Sequence, residues 1–310
     1  MSMRSGFVSI IGRPNAGKST LLNALAGQKL AIVTPKPQTT RNRILAVVNA
    51  ARKGSRPAAQ IVFIDTPGIH KPANSLERKM MQEVHAALEE RDLLLVIVDV
   101  TQKFGPGDQF VLHLVESQAP RAQRAPVFLL LNKIDLIEKG RLLPLIERYR
   151  QLHSFAEIIP ISARRKQGLE DLLDNVIRHL PEGPRYFPPD QITDQPERFL
   201  AAEMVREKAL NATCEEVPYA TTVVVERWEE QEKLTRIAAA IYCEREGQKA
   251  ILIGKGGQML KKIGTEARRE IEGFLGTRVF LELFVKVRDH WRDSRQFVEE
   301  LDWRKQLDKL

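Results

Sequence analysis

The chain has 310 residues, enough for two domains with separate hydrophobic cores, and 43% of its residues are hydrophobic. No stretch has the roughly 18 uncharged apolar residues that a membrane span needs, and the short polar start predicts no secretory signal. The formal net charge of +8 favours a polyanionic partner, either nucleic acid or an anionic membrane surface, although charge spread evenly for solubility gives the same number. Cys214 and Cys243 have no cysteine or histidine at ligand spacing, so we expect reduced thiols in a cytosolic protein.

The first half of the sequence alternates apolar strands with helix-length segments. Strands are predicted over residues 7–11, 60–65, 93–100 and 127–132, and a helix is predicted from about Lys18. Near-continuous apolar strands indicate a largely parallel sheet that is covered on both faces. Such sheets bind ligands beyond the carboxyl ends of their strands. The sequence therefore predicts an α/β nucleotide-binding domain over residues 1–180.

The first predicted strand runs into the sequence GRPNAGKS, which fits the pattern G-x-x-x-x-G-K-S/T. Glycines let backbone N–H groups wrap a phosphate, and the helix that follows presents its positive end to the same group. Lys18 would reach the β- and γ-phosphate oxygens, and the Ser19 hydroxyl would hold Mg²⁺. The predicted nucleotide-binding residues here are Gly12, Arg13, Pro14, Asn15, Ala16, Gly17, Lys18, Ser19 and Thr20.

Two further segments are candidates to sense a γ-phosphate. A hydroxyl-bearing residue in a mobile loop before the second predicted strand would meet Mg²⁺ and the γ-phosphate, and Thr40 is the candidate, with Thr39 the alternative. After strand 60–65, Asp65 would hold the Mg²⁺ shell through water, and the Gly68 N–H would contact the γ-phosphate. The predicted metal ligands are therefore Ser19, Thr40 and Asp65.

The sequence NKID at 132–135 indicates which base is bound. The Asp135 carboxylate can accept hydrogen bonds from N1–H and N2–H₂ of guanine, whereas adenine has no such donors. Asn132 would brace the loop, and the stem of Lys133 would cover the base plane. After a predicted strand at 157–160, Ser162 and Ala163 belong to an ISA sequence that would place the Ala163 N–H at guanine O6. We therefore predict GTP or GDP as the nucleotide.

Beyond residue 180 the pattern changes. Residues 181–196 hold five prolines in sixteen positions, so we predict a linker there. The following segments are a helix at 197–213, antiparallel strands at 219–230 and 234–246, two helices around 254–257, a strand at 278–289 and a charged helix at 294–310. This order predicts a small α+β domain over 197–310.

A second glycine loop, G-x-x-G, lies between an apolar helix and a basic one. Such a loop lets the backbone approach single-stranded RNA, although a helix-breaking turn beside a solvated basic face is the alternative. The predicted RNA-binding residues are Gly254, Lys255, Gly256, Gly257, Lys261, Lys262 and Arg268. Trp291, Arg288 and Arg292 are weaker candidates for base stacking and phosphate binding, since each is more readily structural.

The motifs GRPNAGKS, QTTR, DTPG, NKID and ISA, followed by ILIGKGGQMLKKIG, resemble the Era family of bacterial GTPases over essentially the whole chain. The resemblance implies a P-loop GTPase domain with a mostly parallel sheet, followed by a smaller α+β type II KH domain. It implies hydrolysis of GTP to GDP and phosphate, and binding of 16S ribosomal RNA near its 3′ end during small-subunit maturation. It also implies a cytoplasmic protein, expected to be a monomer, with a fraction at the inner face of the cell membrane.

The resemblance also bears on catalysis. Ile69 stands where the Ras-like pattern has a water-orienting glutamine, so slow turnover is expected, carried by Lys18, Thr40 and Gly68. Asn15 stands where related GTPases use an asparagine to help hold K⁺, which would make it a further catalytic residue.

Two other functions stay open at this point. One is a membrane-docked signalling GTPase whose basic face meets anionic lipid, and the other is a non-hydrolysing, GTP-gated scaffold, which Ile69 suggests. The G-x-x-G loop favours RNA over lipid, because a lipid surface needs charge but no glycine clamp.

Overall fold

The computed structural model describes residues 3–117 and 125–307. The chain forms two compact units. The first comprises Met1–Ala31, Pro37–Lys71 and Met80–Asp194, and the second comprises Ile32–Lys36, Pro72–Lys79 and Gln195–Leu310. The second unit thus includes two short segments from the first half of the chain, which the sequence pattern does not predict.

The first unit contains a six-stranded sheet in the order β2-β3-β1-β4-β5-β6. Its strands are β1 (Arg4–Gly12), β2 (Ile44–Ala50), β3 (Ala59–Asp65), β4 (Leu93–Asp99), β5 (Val127–Asn132) and β6 (Glu157–Ile161). All neighbours run parallel except β2, which is antiparallel to β3. The β3 and β5 strands are buried along their whole length, as expected for strands covered on both faces. The edge strand β2 is an addition to the strands that the sequence predicts.

Helices cover the two faces of this sheet. They are α1 (Lys18–Ala26), α2 (Ser75–Glu89), α3 (Pro106–Ser117), α4 (Leu142–Leu152) and α5 (Leu169–His179). Alternate strand residues such as Ile10 and Phe63 pack with α1 and α5 on one face. Their neighbours, such as Ile11 and Val96, pack with α2, α3 and α4 on the other face. This is the side-chain alternation of a strand buried on both sides.

Much of the predicted linker is ordered against the first unit. The Val47 N–H of β2 donates to the Ile192 carbonyl at 2.9 Å, and the Gln60 amide donates to the Phe187 carbonyl at 2.9 Å and accepts from the Phe187 N–H. The Val47 contact occupies the outer edge of β2, which would otherwise present unpaired backbone groups. The Gln60 contacts hold the same segment against β3. The proline-rich segment therefore protects a sheet edge in addition to joining the two units.

The second unit contains a three-stranded sheet in the order β7-β8-β9. Its elements are β7 (Thr222–Gln231), β8 (Leu234–Cys243), β9 (Arg278–Val287), α6 (Glu197–Ala212), α7 (Glu246–Ile253), α8 (Gln258–Leu275), α9 (Arg295–Glu300) and α10 (Trp303–Leu307). The β7 and β8 strands are antiparallel as predicted, and β9 is parallel to β8. One apolar core joins α6, α7 and α8 to the inner face of this sheet. Within the described ranges, no helix is long and apolar enough to cross a membrane.

The charged helix predicted at 294–310 is instead two short helices, α9 and α10. The break falls at Asp302, whose Oδ1 accepts the Arg304 N–H at 3.1 Å and so caps the start of α10. Its Oδ2 accepts from the Lys79 ammonium at 2.9 Å, so the side chain is committed to two partners at the break. Residues 308–310 of the predicted helix lie outside the described residues.

Candidate functional site

The glycine loop between β1 and α1 passes very close to two neighbouring strands. A Cβ at Gly12 would lie 2.4 Å from the Ile97 carbonyl, and one at Gly17 would lie 2.2 Å from the Asn132 amide nitrogen. Gly17 also has a φ of +103°, a conformation that residues with side chains rarely adopt. Both glycines are therefore required for the loop to lie where it does.

Lys18 begins α1, and its side chain turns back into the loop. Its ammonium donates to the carbonyls of Gly12 at 3.2 Å and Arg13 at 3.0 Å, and the residue is only 5% exposed. Burial lowers the pKa of Lys18 to about 8, although the Asp65 carboxylate opposes this shift. The loop thus holds a buried cation that an anionic phosphate would stabilise.

The three predicted metal ligands lie together. The Ser19 hydroxyl donates to Asp65 Oδ2 at 2.7 Å, the Thr40 hydroxyl donates to the same oxygen at 3.2 Å, and the two hydroxyl oxygens are 2.8 Å apart. Asp65 Oδ1 is buried and has no hydrogen-bond partner among the described residues. Burial raises the pKa of Asp65 to about 6, against the lowering effects of Lys18 and the two hydroxyls. A buried carboxylate oxygen without a partner, beside two hydroxyl oxygens, fits a hard divalent cation such as Mg²⁺.

The turn after β3 lies against the glycine loop. A Cβ at Gly68 would lie 2.9 Å from the Pro14 Cα, so only a glycine permits this approach. The Ile69 N–H donates to the Gly12 carbonyl at 3.1 Å, and the Ile69 side chain is buried in the apolar core. Ile69 therefore anchors the turn and presents no polar group to a phosphate.

Asn132 connects the two loops that the sequence assigns to the phosphate and to the base. Its Nδ2 donates to the Ala16 carbonyl at 2.8 Å, and its Oδ1 accepts the Ala163 N–H at 3.0 Å. The Ala163 N–H, predicted to meet guanine O6, thus has a different partner here, because the Asn132 carbonyl oxygen lies within reach of it. Ser162 is fully buried, and its hydroxyl accepts the Arg165 N–H at 3.1 Å. Ala163 therefore supports Asn132, whereas Ser162 stabilises the turn that follows it.

The remaining base-reading candidates differ in exposure. Asp135 is exposed in a short 3₁₀ turn, Ile134–Leu136, at the carboxyl end of β5, so its carboxylate is open to a ligand. The Lys133 ammonium donates to Asp99 Oδ2 at 2.6 Å. Burial acts to raise the pKa of Asp99, but hydrogen bonds from Lys133 and Thr101 outweigh it and hold that pKa below its usual value.

Two supporting carboxylates were missed by the sequence analysis. Asp99 fixes Lys133, and Asp108 is a buried residue whose Oδ2 accepts from the Arg13 guanidinium at 2.8 Å. Asp99 could have been found, since it is a polar residue at the carboxyl end of a predicted strand. Asp108 carries no such signal, because only the tertiary fold brings α3 to the glycine loop.

The second unit carries a separate candidate site at the G-x-x-G turn between α7 and α8. The turn needs glycine, since Gly254, Gly256 and Gly257 all have positive φ. Beside the turn lies a groove of about 570 Å³ between α8 and β9. It is lined by Gly257, Leu260, Lys261, Gly264, Thr265, Arg268, Leu281 and Leu283. An apolar floor with cationic side chains at its walls can take a stacked base and its phosphate.

The predicted RNA-binding residues divide between the groove and the turn. Lys261 and Arg268 line the groove, whereas Lys255 and Gly256 are exposed on the turn beside it. Lys262 is exposed on α8 but does not belong to the groove lining.

The three weaker candidates at 288–292 all have partners within the protein, although Arg288 is exposed. Trp291 is fully buried, and its indole N–H donates to the Ala220 carbonyl at 2.8 Å, so it cannot stack on a base. The Arg292 guanidinium donates to both oxygens of Glu244, at 3.0 and 2.6 Å. The Arg288 guanidinium lies 4.0 Å above the centre of the Phe297 ring. Trp291 therefore has the structural role that the sequence analysis favoured.

Family models match parts of both units. A model of 50S ribosome-binding GTPases matches residues 7–133, and a KH domain model matches residues 216–292. The chain is 51% identical to the GTPase Era of Syntrophus aciditrophicus over 97% of this chain and 95% of that protein. It is 50% identical to the GTPase Era of Geobacter metallireducens over 97% of this chain and 98% of that protein.

Two solved structures have the same fold at 41% identity, each covering 97% of this chain and 99% of the solved chain. One is Era in complex with MgGDPNP and nucleotides 1506–1542 of 16S ribosomal RNA, with a TM-score of 0.91. The other is a variant of Aquifex aeolicus Era bound to GDP·AlF₄⁻, with a TM-score of 0.90. With this identity over almost its whole length, and with a P-loop domain followed by a KH domain, the chain belongs to the Era family of GTPases.

Proposed function

We propose that this GTPase binds 16S ribosomal RNA near its 3′ end through the groove between α8 and β9, and that it acts in assembly of the small ribosomal subunit. The observation that carries the proposal is the groove itself, with Lys261 and Arg268 on its wall and the G-x-x-G turn at its end. The RNA-bound Era structure, which shares the fold over nearly the whole chain, supports the choice of RNA.

We propose Mg²⁺ as the metal and give the residues of the first unit the following roles. Ser19, Thr40 and Asp65 would hold Mg²⁺, which, when bound, neutralises charge on the phosphate oxygens. Lys18 would exchange its two carbonyl partners for phosphate oxygens, which places a fixed cation where negative charge develops. The Gly68 N–H would contact the γ-phosphate, since its turn lies against the loop at Pro14. No side chain at position 69 orients water, because Ile69 is buried in the core.

We propose that the nucleotide state changes RNA affinity. Residues 32–36 and 72–79 belong to the second unit. The first of these segments continues directly into 37–41, and the second follows 65–68 after three residues; 37–41 and 65–68 are the segments that we assign to sensing the γ-phosphate. A rearrangement of either segment would therefore act on chain that is built into the RNA-binding unit. The experiment is to titrate RNA into protein loaded with GppNHp and into protein loaded with GDP. Equal affinities in the two states would contradict the switch.

The proposal includes three further points. Asn15 is exposed in the glycine loop and carries an amide oxygen of the type that binds K⁺, so we propose stimulation of turnover by K⁺ relative to Na⁺.

We propose a monomer in the cytoplasm. A fraction would lie at the inner membrane through exposed basic residues such as Lys262 and Arg269.

The double variant Lys255→Asp, Gly256→Asp tests the turn. It places two carboxylates where RNA phosphates should lie, and like charges at a contact cost several kcal/mol, so RNA affinity should fall by roughly 100-fold or more. Gly256 has open space around it, so no steric clash is expected. Its φ of +58° strains most side chains, but aspartate is among the residues that tolerate this left-handed region best. The measurement is a titration with single-stranded RNA from the 3′ end of 16S ribosomal RNA, with a scrambled strand beside it. Wild-type affinity should also fall steeply with salt.

Two controls separate RNA from lipid. GTP hydrolysis should stay near wild type, because the turn belongs to the second unit and contains none of the residues assigned to the nucleotide. Association with anionic vesicles should fall modestly, at about 1 kcal/mol for each basic residue lost. A double variant that binds the RNA as wild type does would show that the G-x-x-G turn is not an RNA contact, and loss of vesicle binding alone would favour the membrane-docked alternative.

A second test uses two glycines in the interior of α8. Gly264 lines the groove, and a Cβ there would lie 3.3 Å from the Leu283 side chain, whereas Gly273 is exposed with open space around it. Alanine at Gly273 should raise the free energy of unfolding by about 0.5–1 kcal/mol and leave RNA binding unchanged. Alanine at Gly264 should gain less stability and weaken RNA binding by roughly fivefold, since the methyl group occupies space that a base would use. Thermal melts and the same RNA titration compare the two variants, and equal RNA affinities would show that bases do not reach this part of the groove.

A further inference from the structure

A side-chain hydrogen bond joins the two loops of the first unit that carry Thr40 and Gly68. The amide Nε2 of Gln38 lies 2.9 Å from Nε2 of His70. Gln38 lies two residues before Thr40, and His70 lies two residues after Gly68. We call this contact the inter-loop bond.

The partners of His70 determine the chemistry of the inter-loop bond. The other ring nitrogen of His70, Nδ1, lies 2.9 Å from the Gly68 carbonyl. A carbonyl oxygen only accepts, so Nδ1 carries the proton and donates to it. Nε2 then has a lone pair and accepts from the Gln38 amide N–H. The two contacts are consistent only with the Nδ1–H form of a neutral imidazole.

The backbone at Gln38 gives a second, independent observation. Its φ is +60°, in the left-handed region that residues with side chains adopt infrequently. Such a conformation is unfavourable for glutamine and persists where the surrounding structure compensates for it. The inter-loop bond is one interaction that compensates for this cost, because the Gln38 amide makes it while the backbone has this conformation.

Thr40 and Gly68, each two residues from one end of the inter-loop bond, are held at the nucleotide site. On one side, Thr40 donates to Asp65 and lies 2.8 Å from the Ser19 hydroxyl. On the other, the Gly68 carbonyl is fixed by the same imidazole, and its turn lies against Pro14. The inter-loop bond therefore connects the hydroxyl assigned to Mg²⁺ with the N–H assigned to the γ-phosphate.

We propose that Gln38 and His70 are positioning residues for GTP hydrolysis. By fixing the two loops relative to each other, they keep Thr40 and Gly68 ready for Mg²⁺ and the γ-phosphate. The Ile69 side chain lies in the apolar core, so it offers no hydrogen bond that could join the two loops. GDP lacks the γ-phosphate, so the inter-loop bond contributes to GTP binding and turnover but not to GDP binding. The inference rests on GTP hydrolysis and is independent of the RNA proposal.

Two variants of the full chain remove the inter-loop bond from opposite sides. Gln38→Gly keeps the left-handed backbone without strain and removes the amide. His70→Phe keeps a ring of similar shape and removes both nitrogens. Each should lower kcat and GppNHp affinity by roughly 2- to 10-fold, the range of one neutral hydrogen bond, with GDP affinity unchanged. The double variant should be no worse than the more affected single variant, since both changes remove the same bond.

Which ring nitrogen of His70 carries the proton can be measured directly, and a purely structural role for His70 would not predict it. In wild-type protein at pH 8 with GppNHp and Mg²⁺, ¹⁵N imidazole NMR should show His70 protonated at Nδ1, with His70→Phe identifying the signal. Gln38→Glu places an accepting carboxylate against Nε2, so in this variant Nε2 should carry a proton in addition to the Nδ1–H that the Gly68 carbonyl still accepts, and the ¹⁵N spectrum should report both. Observing Nε2–H in wild type would overturn the proposal without reference to any variant. Equal losses of GDP and GppNHp affinity, or additive effects in the double variant, would also overturn it.

Discussion

Lys18→Ala should lower single-turnover GTP hydrolysis by roughly 100- to 1,000-fold, the loss seen when one fixed donor to a developing negative charge is removed. Lys18 is buried and held by two loop carbonyls, so its ammonium is already in place before phosphate arrives. Alanine leaves those carbonyls facing the phosphate, which adds repulsion to the loss of the cation. Weaker GTP binding should accompany the loss of turnover.

The measurement is phosphate release from prebound GTP, with Mg²⁺ in excess. The matched control is Ile69→Val, because an alanine at this buried position would leave a cavity and cost about 2–5 kcal/mol of stability. The valine variant should keep turnover within roughly twofold, since it removes one methyl group from the core and nothing from the phosphate site. If Ile69→Val abolishes turnover while Lys18→Ala does not, the roles assigned to these two side chains are reversed.

Asp135→Asn should change the preferred base from guanine toward xanthine, with a shift in the GDP to XDP affinity ratio of roughly 100-fold or more. The asparagine replaces an acceptor with a donor, which opposes the N–H groups of guanine and suits the C2 carbonyl of xanthine. Asp135 is exposed in its turn, so the substitution should leave the free energy of unfolding almost unchanged.

Asp99→Asn is the matched control for this prediction, because Asp99 fixes Lys133 of the same loop and is not assigned to the base. It should weaken GDP and XDP binding by similar factors and leave their ratio near the wild-type value. Competition titrations with both diphosphates measure the two ratios. A wild-type ratio for Asp135→Asn would place the base elsewhere on the loop.

The nucleotide site was largely predictable from the sequence because its parts are local. Strand β3 reads as an apolar run that ends at Asp65, and strand β5 reads as one that ends at Asn132. A parallel sheet brings the carboxyl ends of its strands to one edge, so residues at those ends were expected to lie near the glycine loop. The G-x-x-G turn was also predictable from a local pattern, because glycines between two helical segments mark a turn.

Other features depended on contacts between residues distant in sequence. The sequence shows Asn132 but not that it connects the Ala16 carbonyl to the Ala163 N–H, since the three residues meet only when the sheet forms. Trp291 has the same identity whether it stacks on a base or fills a core, and its burial alone decided between these roles.

Local sequence by itself determined most of the strands, the nucleotide motifs and the basic glycine turn, because backbone propensity and apolar periodicity act over a few residues. Only the tertiary structure determined that residues 32–36 and 72–79 belong to the second unit, that the linker covers the edge of β2, and that Gln38 reaches His70. Each of these depends on which segments the folded chain brings within hydrogen-bonding distance. No local pattern specifies that distance, because it is set by the packing of whole elements against one another.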